Sequence, residues 1–362
     1  MSEIGRVEYR DLRLYAGDTG PCAIDLSDNT NLWGTPPSAA AMLTQAAARG
    51  LRGYPEPYSE SLKRSIADYT AVPPEQIVTG AGSDDILDCA FRALAAPGDS
   101  VAYIAPTFVM APTFASTNGL RPVPVPLTNS YDANADALLA TGARIIYLCS
   151  PNNPTGGLLS RDVIEAIVDR APGFVLVDEA YTDFAGTSVV DLLARSPRLV
   201  IARTFSKAFG LAGLRVGYAL TSPGVAVEME KARGPYKVSA VGALAAQLAL
   251  DEDRAWVRER AALAIDGRET LRSDLAARGM TALPSAANFV FVPFRNAIAL
   301  ASAMRRRSVA VRAFSNLPLA GAELRASDGA ALRITVGPPG VMSAALAALD
   351  AALSELRSSG EQ

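Results

Sequence analysis

The chain has 362 residues, 49% of them hydrophobic and 20% charged, enough to bury the cores of a two-domain enzyme. A formal net charge of −3 favours neither nucleic acid nor an anionic membrane surface as a partner. Histidine is absent, which excludes Ser-His-Asp and Cys-His catalysis and His-based metal sites and leaves proton transfer to Lys, Asp, Glu, Tyr or Cys.

In chain order, residues 1–6 lack the apolar core of a secretory signal. No apolar run reaches the length of a bilayer; the longest, 240–250, is too short. Apolar runs at 77–79, 101–104, 145–149, 174–177, 199–202 and 216–220 predict strands, and helical patterns such as 85–95 and 161–170 lie between them. Near-continuous apolar strands alternating with helices predict an α/β fold with a largely parallel sheet covered on both faces. A long helical region at 239–278 leads to further strands at 288–293, 309–314 and 332–336 and a closing helix near 341–356, which predicts a second, smaller α/β domain. Cys22, Cys89 and Cys149 are odd in number and widely spaced, so they read as reduced thiols of a cytoplasmic protein.

The chemistry gathers where strands end. Gly80-Ala81-Gly82-Ser83-Asp84-Asp85 follows the first strand and opens a helix, whose free N–H groups suit a phosphate. A full G-x-G-x-x-G is absent because position 85 is Asp. Ser150-Pro151-Asn152-Asn153-Pro154-Thr155-Gly156 ends one strand and Asp178-Glu179-Ala180-Tyr181 another; Thr204-Phe205-Ser206-Lys207 follows a third, with Arg215 eight residues beyond the lysine. Each has an ordinary reading: a solvated lysine, a helix cap at Asp178, a plain turn at Asn153-Pro154, surface charges at Arg312 and Arg333. Together they supply an amine, a carboxylate, a phenol, an amide and a guanidinium at strand carboxyl ends, where open α/β sheets bind ligands. Lys207 can form a Schiff base with an aldehyde. Asp178 can keep a pyridine nitrogen protonated, and Arg215 with Ser206 can grip a phosphate. These groups point to pyridoxal 5'-phosphate, with no metal.

These motifs resemble the fold-type I, pyridoxal-phosphate-dependent aminotransferases of class I/II, and among them the histidinol-phosphate aminotransferases. Segments 28–34, 52–58, 82–87 and 332–337 support the likeness, which covers nearly the whole chain. The resemblance implies a large domain with a mostly parallel seven-stranded sheet, over about 31–238. It implies an N-terminal arm over 1–30, and a linking helix and smaller C-terminal α/β domain over 239–362. It implies that Lys207 carries the cofactor, Asp178 meets the pyridine nitrogen, and Tyr181 with Asn153 meets the ring hydroxyl. Ser83 and Asp84 N–H groups, Ser206 and Arg215 would hold the phosphate, and Phe108 would stack on the ring. Tyr54 would reach the phosphate in a neighbouring subunit, which implies a homodimer with shared sites. Arg333, with Arg312 beside it, would grip the substrate's anionic group, and Tyr15, Asn31 and Tyr236 would lie near substrate. The reaction implied is amino transfer between a small-molecule donor and a keto acceptor such as 2-oxoglutarate.

Departures from the family pattern fall near substrate. The Asn-Glu-Asn-Pro segment is Asn29-Thr30-Asn31-Leu32, Pro-Thr-Tyr-x-x-Tyr is Pro106-Thr107-Phe108-Val109-Met110-Ala111, and Pro-Tyr-Asn or Pro-Tyr-His is Pro235-Tyr236-Lys237. The donor is left open among histidinol phosphate, an aromatic amino acid and an amino acid of a specialised pathway. A lyase of the threonine-phosphate decarboxylase type remains an alternative, because the same fold serves both chemistries.

Overall fold

The computed structural model describes residues 22–49 and 52–358, together with 9, 12 and 20. Its strands are β1 Ile24–Leu26, β2 Ile77–Gly80, β3 Ser100–Ala105, β4 Arg121–Pro126, β5 Ile145–Cys149, β6 Phe174–Asp178, β7 Leu199–Thr204, β8 Gly217–Thr221, β9 Phe289–Pro293, β10 Val309–Phe314 and β11 Ala331–Thr335. Seven form one sheet in the order β2-β8-β7-β6-β5-β3-β4. Strand β8 runs antiparallel to both neighbours and the other pairings are parallel. Every residue of β2, β5, β7 and β8 is buried. Helices cover both faces, which is why these strands read as unbroken apolar runs.

The apolar runs mark six of the seven strands. The seventh, β4, has the sequence Arg-Pro-Val-Pro-Val-Pro and sits at the sheet edge, paired only with β3. Arg121 N donates to Asp99 O at 2.8 Å and Leu127 N to Ala105 O at 3.0 Å, so the odd-numbered residues bond to β3. The prolines at 122, 124 and 126 fall at even positions and turn their missing donors to the open edge, where a proline costs no ladder bond and discourages further pairing.

The smaller sheet has the order β1-β10-β11-β9. Residues 24–26, expected in the arm, form β1 and pair in parallel with β10. The helical region expected over 239–278 is two helices, Ala240–Asp251 and Arg254–Ala276. The break frees Asp253, whose carboxylate accepts from Ser38 N at 2.9 Å and Ser38 Oγ at 3.1 Å. The second helix spans both cores: Val257, Ala261 and Ala264 pack in the large one, Leu271 and Leu275 in the small one.

Candidate active site

Because β2, β3, β5, β6 and β7 run the same way, the segments that follow them meet at one edge of the sheet. A cavity of about 380 Å³ opens there. Its wall brings together Ser83, Asp84, Phe108, Asn153, Asp178, Tyr181, Ser206, Lys207, Arg215 and Arg333, all expected from the sequence.

Lys207 stands on the loop after β7. Thr204 Oγ1 accepts from Ser206 N at 3.1 Å, Phe205 N donates to Val216 O at 3.0 Å, and Phe205 packs against Phe209 and Tyr218 at 4.9 and 5.6 Å between ring centroids. Gly210, at φ +64°, closes the turn; a Cβ there would lie 2.4 Å from Gly34 O. The loop therefore offers the lysine a fixed base. Its Nζ donates to Asp28 O at 2.9 Å and lies 5.8 Å from the Tyr181 ring centroid. Burial, helped by the positive charges of Arg333 and Arg215 and opposed by Asp28 and Asp84, lowers its pKa to about 8.

Asp178 ends β6 and is only 3% exposed. Its Oδ2 accepts from the Tyr147 hydroxyl at 2.9 Å and its Oδ1 from Ala180 N at 3.1 Å. Burial pushes the carboxyl up to about 6, against the pull of those two donors. The adjacent Glu179 points away to another partner: Arg203 Nε and Nη2 donate to its Oε2 at 2.9 and 2.8 Å.

At a third corner the helix Ser83–Leu94 begins. Its N-cap, Gly82, has no side chain to cap the first N–H groups. Arg215, held at φ 52°, places its guanidinium over this turn, 3.4 Å from Ser206 Oγ and 3.0 Å from Asp84 Oδ2. A Cβ at Gly82 would lie 2.5 Å from Arg215 Nη2, and one at Gly217 2.5 Å from Ser83 N, so both glycines keep this corner open. Uncapped N–H groups, a hydroxyl and a guanidinium fit a phosphate. With an amine and a buried carboxylate across the same cavity, the donor set fits pyridoxal 5'-phosphate.

The fourth side comes from the small domain. Arg333 of β11 donates to Asn153 Oδ1 at 2.5 Å and to Ser27 O, and its guanidinium lies 5.5 Å from the Phe289 ring centroid. Asn153 is positioned in turn by its neighbour Asn152, which bonds Pro106 O, Thr107 and Thr155. Asn29, not singled out as a site residue, lines the cavity and donates to Tyr181 Oη at 2.9 Å. It is tied to the small domain by Thr335 Oγ1, which accepts from Asn29 N at 3.0 Å, and by Asn288 Nδ2, which donates to Asn29 O at 3.1 Å. Its φ of 56° is one that asparagine tolerates better than most residues. Asp28 and Cys149 also line the wall.

Other expected residues lie elsewhere. Asn31 donates to Ala208 O at 2.9 Å and braces the lysine loop from outside the cavity wall. Tyr54 and Tyr236 stack at 5.0 Å on an exposed face, away from this chain's own cavity. Arg312 is in register with Arg333 and lines a neighbouring cavity of about 860 Å³. Tyr15 lies outside the described residues. Ala111, in a segment expected near substrate, is buried in the core, and its neighbour Met110 lines the wall. Lys237 is exposed.

Residues 22–349 match the family model for aminotransferase class I and II. The chain is 37% identical to the histidinol-phosphate aminotransferase of Roseiflexus castenholzii over 332 residues, covering 87% of this chain and 86% of that protein. It is 36% identical to histidinol-phosphate aminotransferase 2 of Ralstonia nicotianae over 345 residues, 92% of this chain and 89% of that one. The crystal structure of histidinol-phosphate aminotransferase from Sinorhizobium meliloti in complex with pyridoxal-5'-phosphate superposes with a TM-score of 0.86 at 26% identity, covering 98% of both chains.

The lowered lysine pKa has a kinetic consequence. A free amine attacks an aldehyde and an ammonium does not. Apoenzyme mixed with pyridoxal phosphate should therefore bind it at a rate that climbs with pH and levels off above about 8, where an ordinary lysine would keep climbing toward 10.5. Stopped-flow absorbance measures this; a rate still climbing at the ordinary value would contradict the lowered pKa.

Proposed function

The chain belongs to the class I and II aminotransferases, and we propose that it moves the amino group of a phosphorylated amino alcohol of the histidinol-phosphate kind to a 2-oxo acid such as 2-oxoglutarate. It is a pyridoxal-phosphate-dependent enzyme of fold type I. The observation that carries the reading is the meeting of Lys207, Asp178, Arg215 and Arg333 on one cavity wall.

In this reading Ser206, Arg215 and the Ser83 and Asp84 N–H groups hold the cofactor phosphate. Phe108 would stack on the ring, Asn153 and Tyr181 would bind its hydroxyl, and Asp178 would bind its nitrogen. When bound, the cofactor supplies an aldehyde for amine exchange and a ring that withdraws electrons from the donor's α-carbon. Lys207 Nζ would take the proton from that carbon and deliver it to the former aldehyde carbon of the cofactor, a role that its lowered pKa supports. Arg333 binds the donor's anionic group by a planar fork of N–H groups. The names of the relatives support the donor class, and Arg333 supports an anionic one. The free thiols Cys22, Cys89 and Cys149 support a cytoplasmic setting.

A homodimer with shared sites completes the reading. Tyr54 is 87% exposed on a loop stiffened by Pro55 and Pro57, and its ring leans on that of Tyr236. A phenol offered so far outward suits a role in the partner's phosphate corner.

Two measurements test this. Histidinol phosphate, aromatic amino acids and other donors are incubated with holoenzyme and 2-oxoglutarate, and products are identified by mass spectrometry. Histidinol phosphate should give its keto product and equimolar glutamate; carbon dioxide release without need of an acceptor would overturn amino transfer. Lys207→Ala and Tyr54→Asp, each inactive alone, should regain up to half of wild-type activity per mixed dimer when co-expressed with different tags. Mixed dimers without activity, or an active monomer, would contradict shared sites.

A further inference from the structure

We propose that the Tyr147 hydroxyl is a positioning group that keeps the Asp178 carboxylate ionised and turned into the cavity, ready for the pyridine nitrogen. The inference rests on the reading that places that nitrogen against Asp178.

Tyr147 is the middle residue of β5 and is fully buried. It packs among Val101, Ile145, Leu176 and Val200. A phenol there is expensive unless its hydroxyl is bonded, and phenylalanine would fill most of the same space. The hydroxyl donates to Asp178 Oδ2 at 2.9 Å. The direction is unambiguous, because an ionised carboxylate only accepts. With Ala180 N on Oδ1, each oxygen has one internal donor, and the carboxylate keeps lone pairs for a ligand. Two donors on two oxygens also fix its rotation.

The electrostatics agree. Burial drives Asp178 toward its neutral form, and the Tyr147 hydrogen bond is the largest influence opposing it. The titratable groups that face Asp178 are Tyr147 and Cys149 from β5, Asp84 from the helix after β2, Lys207 from the loop after β7, and Tyr181 from its own turn. Burial raises the Tyr147, Cys149 and Tyr181 groups, so they are neutral at neutral pH. Asp84 disfavours ionisation of Asp178 and Lys207 favours it. Without the Tyr147 donor the carboxyl would hold its proton more tightly, and a proton shared with the ring nitrogen would move to the acid.

The test reconstitutes wild type, Tyr147→Phe and Asp178→Asn with pyridoxal phosphate enriched in 15N and follows the ring nitrogen by NMR across pH. Tyr147→Phe should move the resonance toward that of unprotonated pyridine and raise the acid-limb pKa of kcat by about one unit. It should lower kcat by roughly ten-fold or more, the effect of a hydrogen bond to a charged group. Cofactor uptake should stay near wild type, and the apoenzyme should stay folded with a lowered melting temperature. In an Asp178→Asn background, Tyr147→Phe should cost no further kcat. If Asp178→Asn moves the resonance and Tyr147→Phe does not, Tyr147 only fills space and the inference is overturned. If neither moves it, Asp178 does not meet the ring, and the site reading falls with the inference. If Tyr147→Phe loses the fold, the hydroxyl is structural, which also overturns the inference.

Discussion

A carboxylate at the end of a buried strand is costly, and much of this site is arranged around that cost. Asp178 closes a five-residue strand whose preceding three residues are also buried. Removing an ion from water is tolerated only where it is bonded or paired. Tyr147 and Ala180 N supply the bonds, and Lys207 supplies favourable charge across the cavity. The next residue solves the same problem on its own. Glu179 is 3% exposed and receives two N–H groups of Arg203, itself 9% exposed, with Val189 N at 2.7 Å on its other oxygen. Removing one member of such a buried pair typically costs about 3–5 kcal/mol. The pair locks the ends of β6 and β7 together and so fixes the spacing between Asp178 and the loop that carries Lys207.

The second constraint is that the cavity lies between two separately built cores. The chain crosses from β1 to the large domain through Ser27, Asp28 and Asn29, and each touches the site by its backbone or side chain. Ser27 O accepts from Arg333, Asp28 O from Lys207, and Asn29 donates to Tyr181. Thr335 and Asn288 hold that crossing from the small-domain side. Arg333, from the same domain, bonds Asn153 of the large one. A substrate bound against Arg333 therefore engages groups whose positions depend on how the two domains meet. This is the physical basis by which a remote part of a substrate can influence the reacting end.

The convergence of Ser83, Asn153, Asp178 and Lys207 on one cavity was legible because they sit within a few positions of strand ends. Once the apolar runs at 77–79, 145–149, 174–177 and 199–202 are strands of one parallel sheet, Ser83, Asn153, Asp178 and Lys207 must converge. What stayed hidden depends on contacts between distant segments. Tyr147 reads as one more apolar residue of β5, and only the pairing of β5 with β6 sets its hydroxyl at Asp178. Asn29 was visible within a motif, but its hold on Tyr181 requires the domain crossing. Strand β4 was hidden by its prolines, which argue against a strand anywhere except at an edge. The break at 252–253 was hidden because the sequence around it is helical in pattern, and Ser38 that receives Asp253 lies more than two hundred residues away.

The central claim is that Lys207, whose pKa burial lowers to about 8 in this cavity, is the residue that carries the cofactor. Borohydride reduction of the holoenzyme, followed by proteolysis and mass spectrometry, tests it most directly. The account predicts a single pyridoxyl modification, on Lys207; a label on any other lysine, with Lys207 unmodified, would contradict it.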